Sequence, residues 1–517
     1  MTQLHDVSGS PESYANPANL VGGRSEQRIS SGVAGLDDVL NGGFPCNHLY
    51  LLEGDPGTGK TTVALQFLLE GTRLGERCLY VTLSESKREL EGVARSHGWS
   101  LDKIPVFEMT PSEEDINPEG QYTVFHPSDI ELADTTAAVL RQVDEVQPVR
   151  VVFDSLSELR MLARDPLRYR RQILGLKRYF AGRNCTVLLL DDRTAEGHDL
   201  QLQSIAHGVI MMQSLEREFG IKRRRLECRK LRGSRFREGY HDYSIETGGV
   251  VVYPRLVASE HVPGHVIKAI SSGIAELDEL LGGGLDSGTS TLLIGPAGCG
   301  KSSIAAQYAA ASAGRGEIAV LFTFDETITT FLHRSKGLGI DIAEKVEAGT
   351  VKLFQVDPAE IAPGQFVHQV RDLVERFNAR VVVIDSLNGF LNAMPGEDFL
   401  MLQLHELLSY LDQQGVTTLM TLAQHGFLGS AMATPVDVSY LADTVILFRY
   451  YEAQGQLHQA LSVLKKRSGK HERAIRKLSF AGRKLSVGPA LTEFQGVMTG
   501  VPQMNVVASA SANKEGR

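Results

Sequence analysis

Lys60 and Lys301 each close a glycine-rich octapeptide. Gly54-Asp55-Pro56-Gly57-Thr58-Gly59-Lys60-Thr61 and Gly295-Pro296-Ala297-Gly298-Cys299-Gly300-Lys301-Ser302 both fit G-x-x-x-x-G-K-[ST]. Each follows an apolar run, Leu49-Tyr50-Leu51-Leu52 or Thr291-Leu292-Leu293-Ile294, the strand–loop–helix context that makes the pattern a phosphate site. The glycines let backbone N–H groups converge on phosphate oxygens, the lysine neutralises β/γ charge, and the Thr or Ser hydroxyl holds Mg²⁺. Triphosphate contacts are therefore expected from Gly57, Thr58, Gly59, Lys60, Thr61 and Thr62, and again from Gly298, Cys299, Gly300, Lys301, Ser302 and Ser303. The chain reads as binding two nucleoside triphosphates.

Triphosphate chemistry also needs an acid for the metal and a group acting on the nucleophile. Asp154 ends Val151-Val152-Phe153, and Asp385 ends Val381-Val382-Val383-Ile384; both precede Ser-Leu. The alternative is a helix N-cap, but an upstream phosphate loop in the same half favours metal, giving Thr61 with Asp154 and Ser302 with Asp385. After the apolar run that follows each phosphate loop come Ser84-Glu85 in the first half and Asp325-Glu326 in the second. Glu85, Asp325 and Glu326 are candidate bases or water-polarising groups, against the alternative of helix-start acids favoured by the helix dipole. One acid against two predicts a division of labour. Late in each half, Lys230-Leu231-Arg232-Gly233-Ser234 is matched by Lys465-Lys466-Arg467-Ser468-Gly469. On a strand, Lys-x-Arg points both cations to one face. They can be surface charges, or fingers supplied in trans to a neighbour's γ-phosphate.

The elements that must hold these groups are short continuous apolar runs alternating with helical stretches: Cys78–Val81, Val149–Phe153, Thr186–Leu190 and Val209–Met212, then Val320–Phe322, Val381–Ile384, Thr417–Met420 and Val445–Phe448. Continuous hydrophobicity marks strands buried on both faces. The fold class predicted is α/β, two tandem P-loop domains each built on a mostly parallel sheet flanked by helices, with ligands at the carboxyl ends of the strands. The halves repeat. Ile29-Ser30-Ser31-Gly32-Val33 recurs as Ile270-Ser271-Ser272-Gly273-Ile274, at the offset that separates Lys60 from Lys301. So long a period means domain duplication, not a solenoid. The division expected is a flexible leader over 1–24, a first domain over 25–256, a linker over 257–265, a second domain over 266–502 and a flexible tail over 503–517.

The 517 residues, 42% hydrophobic and 22% charged, describe an ordinary globular chain. Five cysteines without metal-ligand spacing, and no secretory leader, point to a reduced cytosol, hence a cytoplasmic protein. No stretch approaches a membrane span. A net charge of −9 gives no global attraction to nucleic acid or anionic lipid. The run Lys222-Arg223-Arg224-Arg225 is local, and reads as a solvated or subunit-interface face rather than a DNA patch.

Over about residues 25 to 502, the duplicated Ser-Gly-x-x-x-Leu-Asp openings, both loops, both Asp-Ser-Leu strand ends and both late Lys-x-Arg pairs resemble the KaiC family, double-domain ATPases and autokinases of circadian and related timing systems. The resemblance implies two RecA-like domains, stacked homohexameric rings, and Mg²⁺-ATP at each subunit interface. Lys230, Leu231, Arg232 and Ser234, with Lys465 and Arg467, would contact a neighbour's ATP. The first ring would hydrolyse ATP; the second would phosphorylate and later dephosphorylate itself at Ser439. Partners implied are a KaiB-like or response-regulator-type protein, with no membrane. The chain departs from the family's Glu-Glu at Ser84-Glu85 and Asp325-Glu326. It also carries Tyr440 where the second acceptor is threonine, and keeps a hydroxyl at Thr434. Its end after Pro502 looks shorter than in the cyanobacterial proteins, so a KaiA-type activator is not carried over. Two competing functions are a DNA-dependent motor of the recombinase or helicase class, and an ATP-dependent scaffold with little turnover. Gln424-His425-Gly426-Phe427-Leu428-Gly429-Ser430 holds no lysine or arginine where a motor needs basic DNA loops, so no nucleic acid is expected.

Overall fold

The computed structural model describes residues 27–109, 127–163, 165–193, 200–216, 220–260, 264–392, 400–424, 440–499 and 502–504. The strand before the first loop, β1 (Leu49–Gly54), is buried along its whole length. Leu49 and Leu51 enter one core and Tyr50 and Leu52 another, because alternate residues point to opposite faces. Helices cover both sides, so a continuous apolar run is what this position requires. The sheet continues with β2 (Cys78–Thr82), β3 (Val106–Glu108), β4 (Arg150–Asp154), β5 (Thr186–Asp192), β6 (Gly208–Leu215), β7 (Arg223–Leu231), β8 (Tyr240–Glu246) and β9 (Gly249–Tyr253), in the spatial order β3-β2-β4-β5-β1-β6-β7-β8-β9. β3 to β6 run parallel; β7, β8 and β9 are antiparallel.

The second half repeats this order with β10 (Ser290–Gly295), β11 (Ala319–Thr323), β12 (Val351–Gln355), β13 (Val381–Asp385), β14 (Thr417–Ala423), β15 (Thr444–Ala453), β16 (Gln456–Lys466), β17 (Arg476–Ser479) and β18 (Ser486–Ala490). All ten apolar runs named from the sequence fall on strands, except that Val149 lies one residue before β4. The antiparallel extensions were not foreseen. β7 reads Arg-Arg-Arg-Leu-Glu-Cys-Arg-Lys-Leu and is only partly buried, a pattern without the apolar run of a central strand. The helices that matter below are α1 (Lys60–Arg73), α2 (Lys87–Ser96), α3 (Leu200–Ile205), α4 (Lys301–Gly314), α5 (Ile328–Gly337), α6 (Pro363–Phe377) and α7 (Leu400–Gln413).

One buried cation ties the first sheet to α1. Arg150 opens β4 with no exposed surface, pairs through Nε with Glu76 Oε2 at 2.5 Å, and donates from Nη1 to Ser30 O (2.7 Å) and Phe67 O (2.8 Å). Its guanidinium lies 4.8 Å from the centre of the Phe67 ring. Arg150→Ala would leave two carbonyls and a carboxylate without their donor. It is expected to cost about 3 kcal/mol, read as a lowered denaturant midpoint for the first domain.

The basic run Lys222–Arg225 requires a correction: Arg223 is neither solvated nor open to DNA. Its side chain is buried, donating from Nη2 to Pro358 O at 3.1 Å and from Nη1 to Ile361 O, so it joins the two halves of one chain. Asp242 on β8 accepts from Gly364 N at 2.7 Å, at the start of α6. The 257–265 segment is also docked where it is described: Ala258 N donates to Glu406 Oε2 on α7 at 2.9 Å, and Glu260 pairs with Arg237 at 2.7 Å. Within the expected tail, Gln503–Met504 pairs with Phe494–Gln495 as a short antiparallel strand. The leader over 1–24 lies outside the described residues.

Candidate active sites

Each phosphate loop spans a strand end and a helix start. Gly59 (φ 91°) and Gly300 (φ 103°) precede the first residues of α1 and α4 in the left-handed region, a conformation glycine adopts without steric cost. A Cβ at Gly59 would also lie 2.7 Å from Ile245 Cδ1. Neither helix start has a side-chain cap, so its free N–H groups face the loop and suit an anion.

In the first site, buried Lys60 donates to Gly54 O (2.9 Å) and Asp55 O (3.0 Å) and pairs with Asp192 Oδ1 at 2.6 Å. Thr61 Oγ1 donates to Asp154 Oδ2 at 3.2 Å, and Tyr80 OH donates to the same oxygen at 2.5 Å. Burial raises the Asp154 pKa; the bonds from Tyr80 and Thr61 oppose that in part. Glu85 lies before α2, whose capping box is Ser86 with Glu89. Glu89 therefore takes the helix-start role, and Glu85 is left for the site. Its Oε2 is buried without a hydrogen-bond partner. Its pKa is raised first by burial, then by Asp154, Glu89 and Asp192. Ser84 is exposed.

The second site is a cavity of about 470 Å³. Gly298, Gly300, Lys301, Ser302 and Ser303 line it with Asp325, Glu326, Arg334 and Asp385. Lys301 donates to Gly295 O (2.9 Å) and Pro296 O (2.6 Å), and Ser302 Oγ donates to Asp385 Oδ1 at 2.9 Å. Thr421 Oγ1 donates to the same carboxylate oxygen. Asp385 is raised mainly by burial, against those two bonds. Asp325 accepts from Ser386 Oγ, while Glu326 is held by Arg334 through Nε and Nη2. Cys299 is buried in the core under the loop, so its side chain packs there.

The late Lys-x-Arg pairs are anchored away from their own loops. Lys230 Nζ donates to Ala206 O at 2.8 Å and to Gln203 O, and Arg232 Nη2 to Ser204 O at 2.6 Å, around the end of α3. Leu231 is buried in the core, so it offers a ligand only its backbone; Ser234 is half-buried. Lys465 Nζ donates to Ala442 O (2.8 Å), and Arg467 reaches Asp443 Oδ1 (3.2 Å) and Tyr440 O (2.9 Å). Neither Lys465 nor Arg467 lines the second cavity. Ser439 and Thr434 lie outside the described residues.

Sequence reasoning missed Asp192, Arg334, Tyr80 and Ser386. One of these had a signal in the repeat: Arg334 stands at the same sequence distance from Lys301 as Val93 does from Lys60. Asp192 corresponds to Ala423 in sheet register, a match that the constant sequence offset between the halves does not give.

Two parallel-centred sheets, each with a phosphate loop at its central strand and a carboxylate reaching the loop hydroxyl, define a tandem P-loop ATPase. The family described as "ATPase: KaiC" matches residues 29–257 and again 270–491, and the chain belongs to the KaiC family. Membership carries nucleotide binding and ATPase chemistry with it. Similar relatives include the circadian clock oscillator protein KaiC of Acaryochloris marina, 26% identical over 92% of this chain and 91% of that protein. The protein of the same name from Synechococcus elongatus is 26% identical over 91% of each. The circadian clock protein KaiC3 of Synechocystis is 24% identical over 92% of this chain and 94% of that protein. Among the described residues, no helix is long and apolar enough to cross a membrane.

Proposed function

We propose that this KaiC-family ATPase is a homohexameric Mg²⁺-ATPase and serine autokinase and autophosphatase of a timing or signalling system, with domains over 25–256 and 266–502. The observation that carries the ring reading is the placement of Lys465 and Arg467. They stand off their own cavity and hold residues 440–443, immediately after Ser439. Cations so placed serve a neighbour's nucleotide, as Lys230 and Arg232 would in the first ring.

All-oxygen pairs, Thr61 with Asp154 and Ser302 with Asp385, suit Mg²⁺. Among the described residues no three His, Cys, Asp or Glu side chains form a dedicated cage, which fits an ion completed by substrate phosphates. When bound, the ion would neutralise charge on the β- and γ-phosphates. In the second site, Ser439 Oγ would attack the γ-phosphorus, the bond to the β,γ-bridging oxygen would break, and ADP would leave. Asp325 would accept the serine proton. Glu326 is engaged by Arg334, so it serves better to position that cation. A KaiB-like or response-regulator-type partner would read the phosphorylation state, in the cytoplasm.

ATP bound between subunits stabilises the ring by mass action. Light scattering is expected to give hexamers in Mg-ATP and smaller species after nucleotide removal. Lys465→Ala/Arg467→Ala should weaken the ring and raise the ATP concentration it needs to assemble; a monomer of the unmodified protein in saturating Mg-ATP rejects the assignment. Filter binding to single-stranded DNA across salt concentrations is expected to be negative, whereas a DNA motor would bind and lose affinity steeply with salt.

A further inference from the structure

Asp192 ends β5 in register opposite Gly54, the last residue of β1. Its Oδ1 lies 2.6 Å from Lys60 Nζ; the lysine side chain is 8% exposed and the aspartate 31%. Among the described residues the second site has no such pair. Ala423 stands opposite Gly295, and Lys301 is satisfied by the carbonyls of its own loop. Ala423 forms part of the wall of the second cavity, so this register position faces the nucleotide space.

The loop lysine exists to neutralise oxygens of the β- and γ-phosphates. A carboxylate oxygen at 2.6 Å from Nζ occupies, relative to the lysine, the place of one of those oxygens. We propose that Asp192 is a built-in competitor for Lys60, a latch that a nucleotide must displace to load the first site and that re-forms when the terminal phosphate leaves. The inference rests on the first loop being a nucleotide site, and deepens that reading. Once displaced, Asp192 stands with Glu85 and Asp154 beside a polyanion. The electrostatic effects of Asp192 on both carboxylates place it within range of them. A divalent cation offsets this repulsion, so the latch makes loading of the first site depend on metal more than loading of the second.

The test is equilibrium binding of a fluorescent ATP analogue to the full chain in EDTA and in Mg²⁺, with Lys301→Ala silencing the second loop. Asp192→Asn keeps the shape and removes the charge. It is expected to tighten metal-free binding by about 10-fold or more and binding in Mg²⁺ by less. The reciprocal variant, Ala423→Asp in a Lys60→Ala background, is expected to weaken metal-free binding at the second site by about 10-fold. Unchanged or weaker metal-free affinity in Asp192→Asn overturns the latch. If Asp192→Asn does not fold by circular dichroism, the Ala423→Asp measurement decides. Persistent binding in Lys60→Ala/Lys301→Ala would instead remove the underlying reading of the loops, an outcome distinct from failure of the latch.

Discussion

Glu85→Gln is expected to remove ATP turnover at the first site by about 10²–10⁴-fold, the range a general base contributes, when the second loop is disabled by Lys301→Ala. Ser84 supplies no carboxylate, and the helix-start role belongs to Glu89. Glu85 is left with an oxygen buried and unpartnered, available to orient or deprotonate water. Its pKa is raised by burial and by neighbouring carboxylates. A base works deprotonated, so turnover should fall as pH drops through a value above the ordinary glutamate range, and the acid limb should vanish in Glu85→Gln. Steady-state phosphate release across pH measures both. Normal hydrolysis in that variant would remove Glu85 from the role, whereas no turnover at the first site in the parent protein would favour a scaffold.

Transfer of label from γ-labelled ATP to Ser439 is expected to be lost in Ser439→Ala and reduced about 10²–10⁴-fold in Asp325→Asn. Asp325 lines the cavity and, among the described residues, is hydrogen-bonded by a neutral hydroxyl, that of Ser386. Glu326 is already engaged by two nitrogens of Arg334. Glu326→Gln should therefore cost less than Asp325→Asn, and Arg334→Ala should raise the KM for ATP or lower the rate by freeing that carboxylate. A phosphate at position 439 brings about −1.5 to −2 charges one residue before the segment 440–443 that Arg467 and Lys465 hold. Those cations either gain a new partner or lose their old ones, which is a means of changing ring packing. Tyr440 is 56% exposed, so label found on Tyr440 alone would move the acceptor by one residue. No label under any condition would leave an ATPase without autokinase activity.

Much of this protein was readable in one dimension because its chemistry is local. A phosphate loop needs two glycines, a lysine and a hydroxyl within eight residues. Strands covered on both faces must be continuously apolar, as in β1 and β13. Duplication then allowed each half to serve as the control for the other, which isolated Ser84 against Asp325. Only the tertiary structure decided which charges meet. Asp192 reaches Lys60 because β5 lies beside β1, although more than a hundred residues separate them in the chain. Glu326 is paired, whereas Glu85 has no ion pair among the described residues, because a single helix position carries arginine in α5 and Val93 in α2. Arg223 looked like part of a solvent-facing basic run, yet its strand abuts the second half, where the carbonyls of Pro358 and Ile361 accept its protons. Sequence patterns record the period of an element and the residues of a loop. Electrostatic partners are set by which strands and helices pack together, and no local pattern encodes that.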